Sequence, residues 1–364
     1  DREKVATKSV LYMKGMQDEG ILPTGKHFPG HGDTDFDSHY TLPLIHHDRK
    51  RLDSIELFPF RAMIDAGLQG IMVAHLYIPQ LDTTPNTATT LSPVVINGLL
   101  REEMGFKGYI VTDALDMQGV TKYFKPGEIE VKALLAGNDI LLLPQHIDLA
   151  ISGIKIAIDS GHISSELLEY KCKRILAMKE KLGLGNPQEI STENLIREIN
   201  APGSVALASS MVKESLTLLS NPLQIVPIQY ADRRKIAVLS IGDTMPDLFA
   251  QTLSRYGAVT AFRLPKRFSK TVIDSMARAL TPFDLVIAGI YGISSNPSTN
   301  YGITASMKQL TDTLSSIHRT IVTLFGTPYS LNMLECPHKC EAVLIAYQDN
   351  EQTRRYAEIG RAHV

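Results

Sequence analysis

Four short apolar runs recur through the first half of the chain, each followed by a polar loop and then a helical pattern. They are Gly20-Ile21-Leu22-Pro23-Thr24-Gly25, Gly70-Ile71-Met72-Val73-Ala74-His75, Gly108-Tyr109-Ile110-Val111-Thr112-Asp113 and Asp139 to Leu143. Continuous apolar runs of this length fit strands buried on both faces, as in a parallel sheet. The intervening segments carry helical spacing. Residues 2–19 place Val5, Val10, Leu11 and Met13 as apolar positions. Ser54 to Ala66 stops at Gly67, Pro93 to Met104 has Ser92 as its N-cap, and Gly127 to Ala136, 147–160 and 164–182 follow. Strand–loop–helix repeated four times is the mark of parallel βα units. Such units gather reactive side chains in the loops after the strands' C-terminal ends, the active face of a (β/α)₈ barrel. A barrel needs eight strands. The expectation is therefore an α/β chain holding the C-terminal half of a TIM barrel over 1–185, its first half lying upstream of Asp1.

Residues 184–205, with Asn186-Pro187 and Asn200-Ala201-Pro202-Gly203, read as a linker, assigned to 186–205. A second α/β region, 206–364, has apolar runs at Lys235–Ile241, Phe283–Gly289, Thr320–Phe325 and Ala342–Tyr347. Helical patterns at 246–256, 269–280 and 304–317 lie between them. This predicts an open parallel sheet with helices on both faces, an α/β/α sandwich. No G-x-G-x-x-G or P-loop follows Gly242-Asp243, so a nucleotide site is not expected. The ending Ile359-Gly360-Arg361-Ala362-His363-Val364 reads as foreign to the domain, which is expected to run on.

The densest chemistry lies in Lys26-His27-Phe28-Pro29-Gly30-His31-Gly32-Asp33-Thr34-Asp35-Phe36-Asp37-Ser38-His39. These residues hold three His, three Asp and one Lys. Titratable groups packed this closely after a strand point to a reactive loop. The third run ends in a carboxylate, Asp113. Asp116 is a second carboxylate three residues on. With 37 Lys plus Arg against 39 Asp plus Glu, the net charge of −2 gives no reason to expect a nucleic-acid or anionic-membrane partner. No run approaches the ~20 apolar residues of a membrane span. Three cysteines cannot form a dense disulfide framework, and the Cys336–Cys340 spacing leaves a disulfide and free thiols both open.

The Lys26–Thr34 motif followed by Asp37-Ser38-His39 resembles the β-N-acetylglucosaminidases of glycoside hydrolase family 3. Val111-Thr112-Asp113-Ala114-Leu115-Asp116-Met117 is similar to that family's nucleophile motif. Met72–His75 and Ala136-Gly137-Asn138-Asp139 fit in order between and after them. The resemblance implies a retaining exo-glycosidase, with Asp113 as nucleophile, His39 as acid/base and Asp37 orienting His39. It places Lys26 and His27 on sugar hydroxyls; His31 stands between contacting substrate and holding the Pro29-Gly30 turn, and Met117 is a further candidate on the substrate side. It implies no metal and no organic cofactor. The substrate would be a GlcNAc-terminated glycan, including peptidoglycan fragments, and the bacterial two-domain form implies export to the periplasm or cell envelope. A phosphorylase of the same glycosides and a β-glucosidase of the same family are the alternatives. A metallohydrolase built on His27, His31, His39, His46 and His47 is the mechanistic rival, but the spacing offers no H-x-H or H-E-x-x-H pair.

Overall fold

The structure is a computed structural model that describes residues 1–34, 41–187, 189, 191–242, 248–335 and 338–357. The chain divides into two compact units, 1–190 and 191–364.

The first unit opens with α1 (Arg2–Asp18), capped by Asp1, whose carboxylate accepts from the Glu3 and Lys4 amides. Its buried positions are Ala6 and Met13, while Val5 and Leu11 are exposed. The inward stripe is thus set one step around the helix from the sequence expectation. Three strands follow, β1 (Thr24–Phe28), β2 (Gly70–Val73) and β3 (Tyr109–Thr112), parallel and in the order β1-β2-β3. β1 begins later than the sequence predicted and takes in Lys26 and His27. The apolar Ile21 and Leu22 stay outside it, with Ile21 half exposed. Asp139 to Leu143 does not form a full strand. Val111 and Ile140 make a single parallel bridge, supported by Thr112 N donating to Ile140 O at 3.1 Å and Leu115 N to Leu142 O at 2.9 Å.

The unit's main core joins Phe28, Ile71, Val73 and Ile110 of the sheet to Leu57, Phe60 and Met63 of and before helix α2 (Phe58–Asp65). Val95, Ile96, Leu99 and Leu100 of a π-type helix over Val94–Glu103 complete it. Phe28 meets Phe60 edge to face at 5.3 Å. Ser92 caps the Val94–Glu103 helix as expected, its hydroxyl accepting from Val95 N at 3.2 Å. Helices α3 (Glu128–Ala136), α4 (Ile147–Asp159) and α5 (Ser165–Lys181) follow.

At the N-terminal ends of the strands, Asp139 ties the unit together. Its carboxylate accepts from Arg101 Nη2 at 2.7 Å and Ile110 N at 2.9 Å, and faces Lys171 Nζ at 3.5 Å and Arg174 Nε at 3.6 Å. Three cations on one buried carboxylate join the Val94–Glu103 helix, β3 and α5.

In the second unit, helix α6 (Leu195–Ile199) lies in the stretch read as linker, and α7 (Pro202–Ser215) begins in it and runs beyond. A six-stranded sheet follows, β4 (Thr217–Ser220), β5 (Ile236–Ile241), β6 (Val259–Leu264), β7 (Leu285–Ile290), β8 (Thr320–Leu324) and β9 (Ala342–Ile345). Its order is β4-β9-β8-β7-β5-β6, with β4 alone antiparallel. Ala237, Leu239 and Ile241 of β5 feed one core, while Ile236 and Val238 feed another. The period-2 alternation of a strand therefore serves two packed faces. β4 and β6 were not anticipated, because these edge strands carry exposed residues and no continuous apolar run. Asp243 and Cys336, together with the terminal 359–364, lie outside the described residues.

Candidate active site

A backbone irregularity in β1 builds the site. Thr24 and Gly25 pair with Gly70 and Ile71, but Phe28 pairs with Val73, so Lys26 and His27 together oppose Met72 alone. This bulge takes both side chains out of the ladder's regular alternation, a device common beside active sites. The Lys26–His27 and Phe28–Pro29 peptides are both cis.

Pairing across β2 then sets the depth of the other site residue. Ala74 N donates to Phe28 O at 2.8 Å on one side, and Asp113 N donates to Val73 O at 2.9 Å on the other. His27 and Asp113 come from strands that are not neighbours. They nevertheless converge over the C-terminal end of β2, with His27 Nε2 3.9 Å from Asp113 Oδ2. The Asp113 side chain is 14% exposed and that of His27 30%. Asp113 Oδ1 accepts the Ala114 N–H at 2.9 Å, which leaves Oδ2 on the side of His27. Lys26 is exposed and makes no hydrogen bond or ion pair to the described residues.

Lys26, His27, Gly30, His31 and Asp33 line a cavity of about 480 Å³ together with Glu56 and residues of α1. Asp113 is not part of its lining. His31 Nδ1 is bonded to its own turn, 3.1 Å from Thr34 Oγ1, and its ring meets that of His27 edge to face at 6.0 Å. That position fits a residue shaping the turn. Gly30 lets the loop pass against the helical turn Leu52–Glu56. Its φ is +136°, and a Cβ there would lie 2.7 Å from that of Glu56. Asp116 is exposed and Met117 is buried. Asp37 and His39 lie outside the described residues.

Among the described residues, one group of three potential metal ligands lies within 4.8 Å, Asp33, His47 and Glu56. The Arg51 guanidinium already bonds both carboxylates, to Asp33 at 3.4 Å and Glu56 at 3.2 Å, and His47 Nε2 is 2.7 Å from Asp33 Oδ2. The guanidinium set between them offsets one of the two carboxylate charges. Of the five histidines in the rival metal reading, this group includes His47 only.

Sequence reasoning gave no role to His75, which is fully buried beside Asp113. Its ring bonds Thr90 Oγ1 at 2.8 Å and Ala114 O at 2.9 Å. Burial holds its pKa below the ordinary imidazole value, partly offset by the Ala114 carbonyl and the Asp113 charge. A titratable side chain ending a fully apolar run was the available signal.

The glycosyl hydrolase family 3 N-terminal domain matches residues 1–178. The chain is 31% identical over 267 residues to a β-hexosaminidase A of Pseudoalteromonas piscicida, covering 65% of this chain and 44% of that protein. It is 38% identical over 143 residues to a β-hexosaminidase of Nitrosospira multiformis, covering 39% and 40%. It thus spans less than half the length of these curated relatives. A solved family 3 β-N-acetylglucosaminidase from a Paenibacillus species superposes with a TM-score of 0.76 at 26% identity, covering 96% of this chain and 67% of that one. The family match over residues 1–178 takes in both the Lys26–Thr34 and the Val111–Met117 motifs, so this part of the chain is similar to the N-terminal domain of glycosyl hydrolase family 3.

Proposed function

We propose that the protein is a retaining exo-β-N-acetylglucosaminidase. The observation that carries this reading is the convergence of His27 and Asp113 at 3.9 Å over the end of β2, in a chain whose relatives are β-hexosaminidases. In the first step Asp113 Oδ2 bonds to the anomeric carbon as the bond to the leaving oxygen breaks, and that oxygen takes a proton from the acid. In the second, water attacks the same carbon, gives its proton to the base and releases Asp113. Oδ2 is the attacking oxygen because Oδ1 is held by the Ala114 amide.

The Lys26 ammonium and the His27 ring donate to sugar hydroxyls, the former in a charge-assisted bond. His39 is proposed as the acid/base, oriented by Asp37, since an imidazole exchanges protons near neutrality without setting a second carboxylate beside the nucleophile. The substrate class is a terminal GlcNAc glycoside, with peptidoglycan fragments as the natural source. In this reading residues 1–185 are the C-terminal half of a (β/α)₈ barrel, which the parallel sheet and the exposed Ile147, Ile151 and Ile156 of α4 support. The sandwich after the linker then completes the two-domain form.

The test is release from a chromogenic N-acetyl-β-glucosaminide by the protein with the upstream half of its barrel restored, with and without phosphate. Turnover that is independent of phosphate, and that falls at least ~10³-fold in Asp113→Ala, is expected for loss of the nucleophile. Wild-type activity in Asp113→Ala would overturn the mechanism. Phosphate-dependent turnover would reassign the protein as a phosphorylase, and preference for a β-glucoside as a β-glucosidase.

A further inference from the structure

A fully buried imidazole has two ring nitrogens to satisfy, and those of His75 have defined partners. Nε2 lies 2.9 Å from the Ala114 carbonyl oxygen. A carbonyl only accepts, so Nε2 carries the proton. Nδ1 lies 2.8 Å from Thr90 Oγ1, whose hydroxyl also donates to the Ala74 carbonyl at 2.6 Å and faces the Val73 carbonyl at 3.1 Å. Thr90 is itself held in place, since its carbonyl accepts from Asn138 Nδ2 at 2.9 Å, and Asn138 also donates to Ala133 O at 2.6 Å. The ring is thus one link in a buried polar chain running from α3 to the turn after β3.

What that chain grips is the peptide that holds Asp113. Ala114 donates its N–H to Asp113 Oδ1, and its carbonyl receives both His75 Nε2–H and the Met117 N–H at 3.2 Å. The next residue, Leu115, donates to Leu142 O at 2.9 Å. Ala114 is therefore fixed from beneath, and the direction in which its amide meets the carboxylate is set before any substrate arrives. A donor aimed in advance contributes to catalysis without reorganising during the reaction.

We propose that His75 is a positioning residue for the nucleophile, acting through Ala114 to hold the amide on Asp113 Oδ1 and keep Oδ2 directed at the anomeric carbon. The proposal rests on the reading of Asp113 as nucleophile. A histidine that merely fills space could be replaced by any side chain of similar volume. A positioning donor needs an N–H where Nε2 stands, and glutamine can supply one whereas leucine cannot.

The experiment compares wild type, His75→Leu, His75→Gln and Asp113→Ala in the protein with the upstream half of its barrel restored, on the chromogenic N-acetyl-β-glucosaminide. His75→Leu is expected to lower kcat about 10- to 100-fold, the range of one lost hydrogen bond acting on a charged group, with KM within about 3-fold. His75→Gln is expected to restore most of the loss. Equal impairment of the two variants, or a loss confined to KM, would overturn the proposal. An inactive wild type, or an active Asp113→Ala, would instead strike the glycosidase reading itself. Should the leucine variant fail to fold, nitrogen NMR of the wild-type ring decides the matter. A proton on Nε2 supports the proposal, and a bare Nε2 refutes it.

Discussion

Asp139→Ala is expected to destabilise the first unit by about 4 kcal/mol. The Asp139 side chain is 2% exposed, and three cations face it. Lys171 is almost as deeply buried as Asp139, and burial already lowers the pKa values of both Arg101 and Lys171, with Asp139 the main opposing charge. Removing the carboxylate leaves like charges facing each other in a desolvated space, and breaking a buried pair in this way costs about 3–5 kcal/mol. The Ile110 N–H loses its acceptor as well, worth about 1 kcal/mol. Arg101 and Arg174 are each a fifth to a quarter exposed, so partial movement toward water returns a similar amount. Urea unfolding followed by circular dichroism would read the change as a fall in midpoint at constant slope. For a unit of this size the thermal midpoint should drop by about 8–16 °C. Asp139→Asn, which keeps an acceptor but no charge, should fall between wild type and Ala. A loss below about 1 kcal/mol in Asp139→Ala would refute the view that this carboxylate neutralises the cluster.

Two further outcomes follow from the site. Gly30→Ala should cost about 2–4 kcal/mol in thermal unfolding, from its φ of +136° and the collision with Glu56, whereas Gly32→Ala, with open space around it, should cost under about 0.5 kcal/mol. Equal effects of the two would sink that account. Because folding lowers the His75 pKa, the unfolded chain takes up the proton first as pH falls. The stability margin of wild type over His75→Gln is then full above about pH 6.5 and shrinks as pH drops below it toward the folded value. A margin that widened toward acid in urea titrations would contradict a neutral buried ring.

The parallel βα order of the first unit was legible because buried strands write themselves as continuous apolar runs, and β2 and β3 lie where those runs predict. Ser92 as a cap was legible because capping is a local hydrogen bond. Asp113 was legible as a carboxylate at a strand end. The limits of β1 were not, because Ile21 and Leu22 are apolar yet sit outside the sheet, while the polar Lys26 and His27 sit inside it. The edge strands β4 and β6 escaped notice for the converse reason, since edges are half solvated and need no apolar run.

The sequence by itself determined which residue types could do chemistry and the order in which the strands deliver them. Local propensity, periodicity and motif spacing act over a few residues, and that is the range at which one chain can be read. Only the tertiary structure decided that His27 meets Asp113 across an intervening strand, since that depends on a one-residue bulge in β1 and on the register of both neighbours with β2. It also decided that His75 lies beneath the Asp113–Ala114 turn. Burial and the direction of a ring nitrogen are fixed by contacts between residues up to 48 positions apart, as Thr90 and Asn138 show, and no local pattern carries that information.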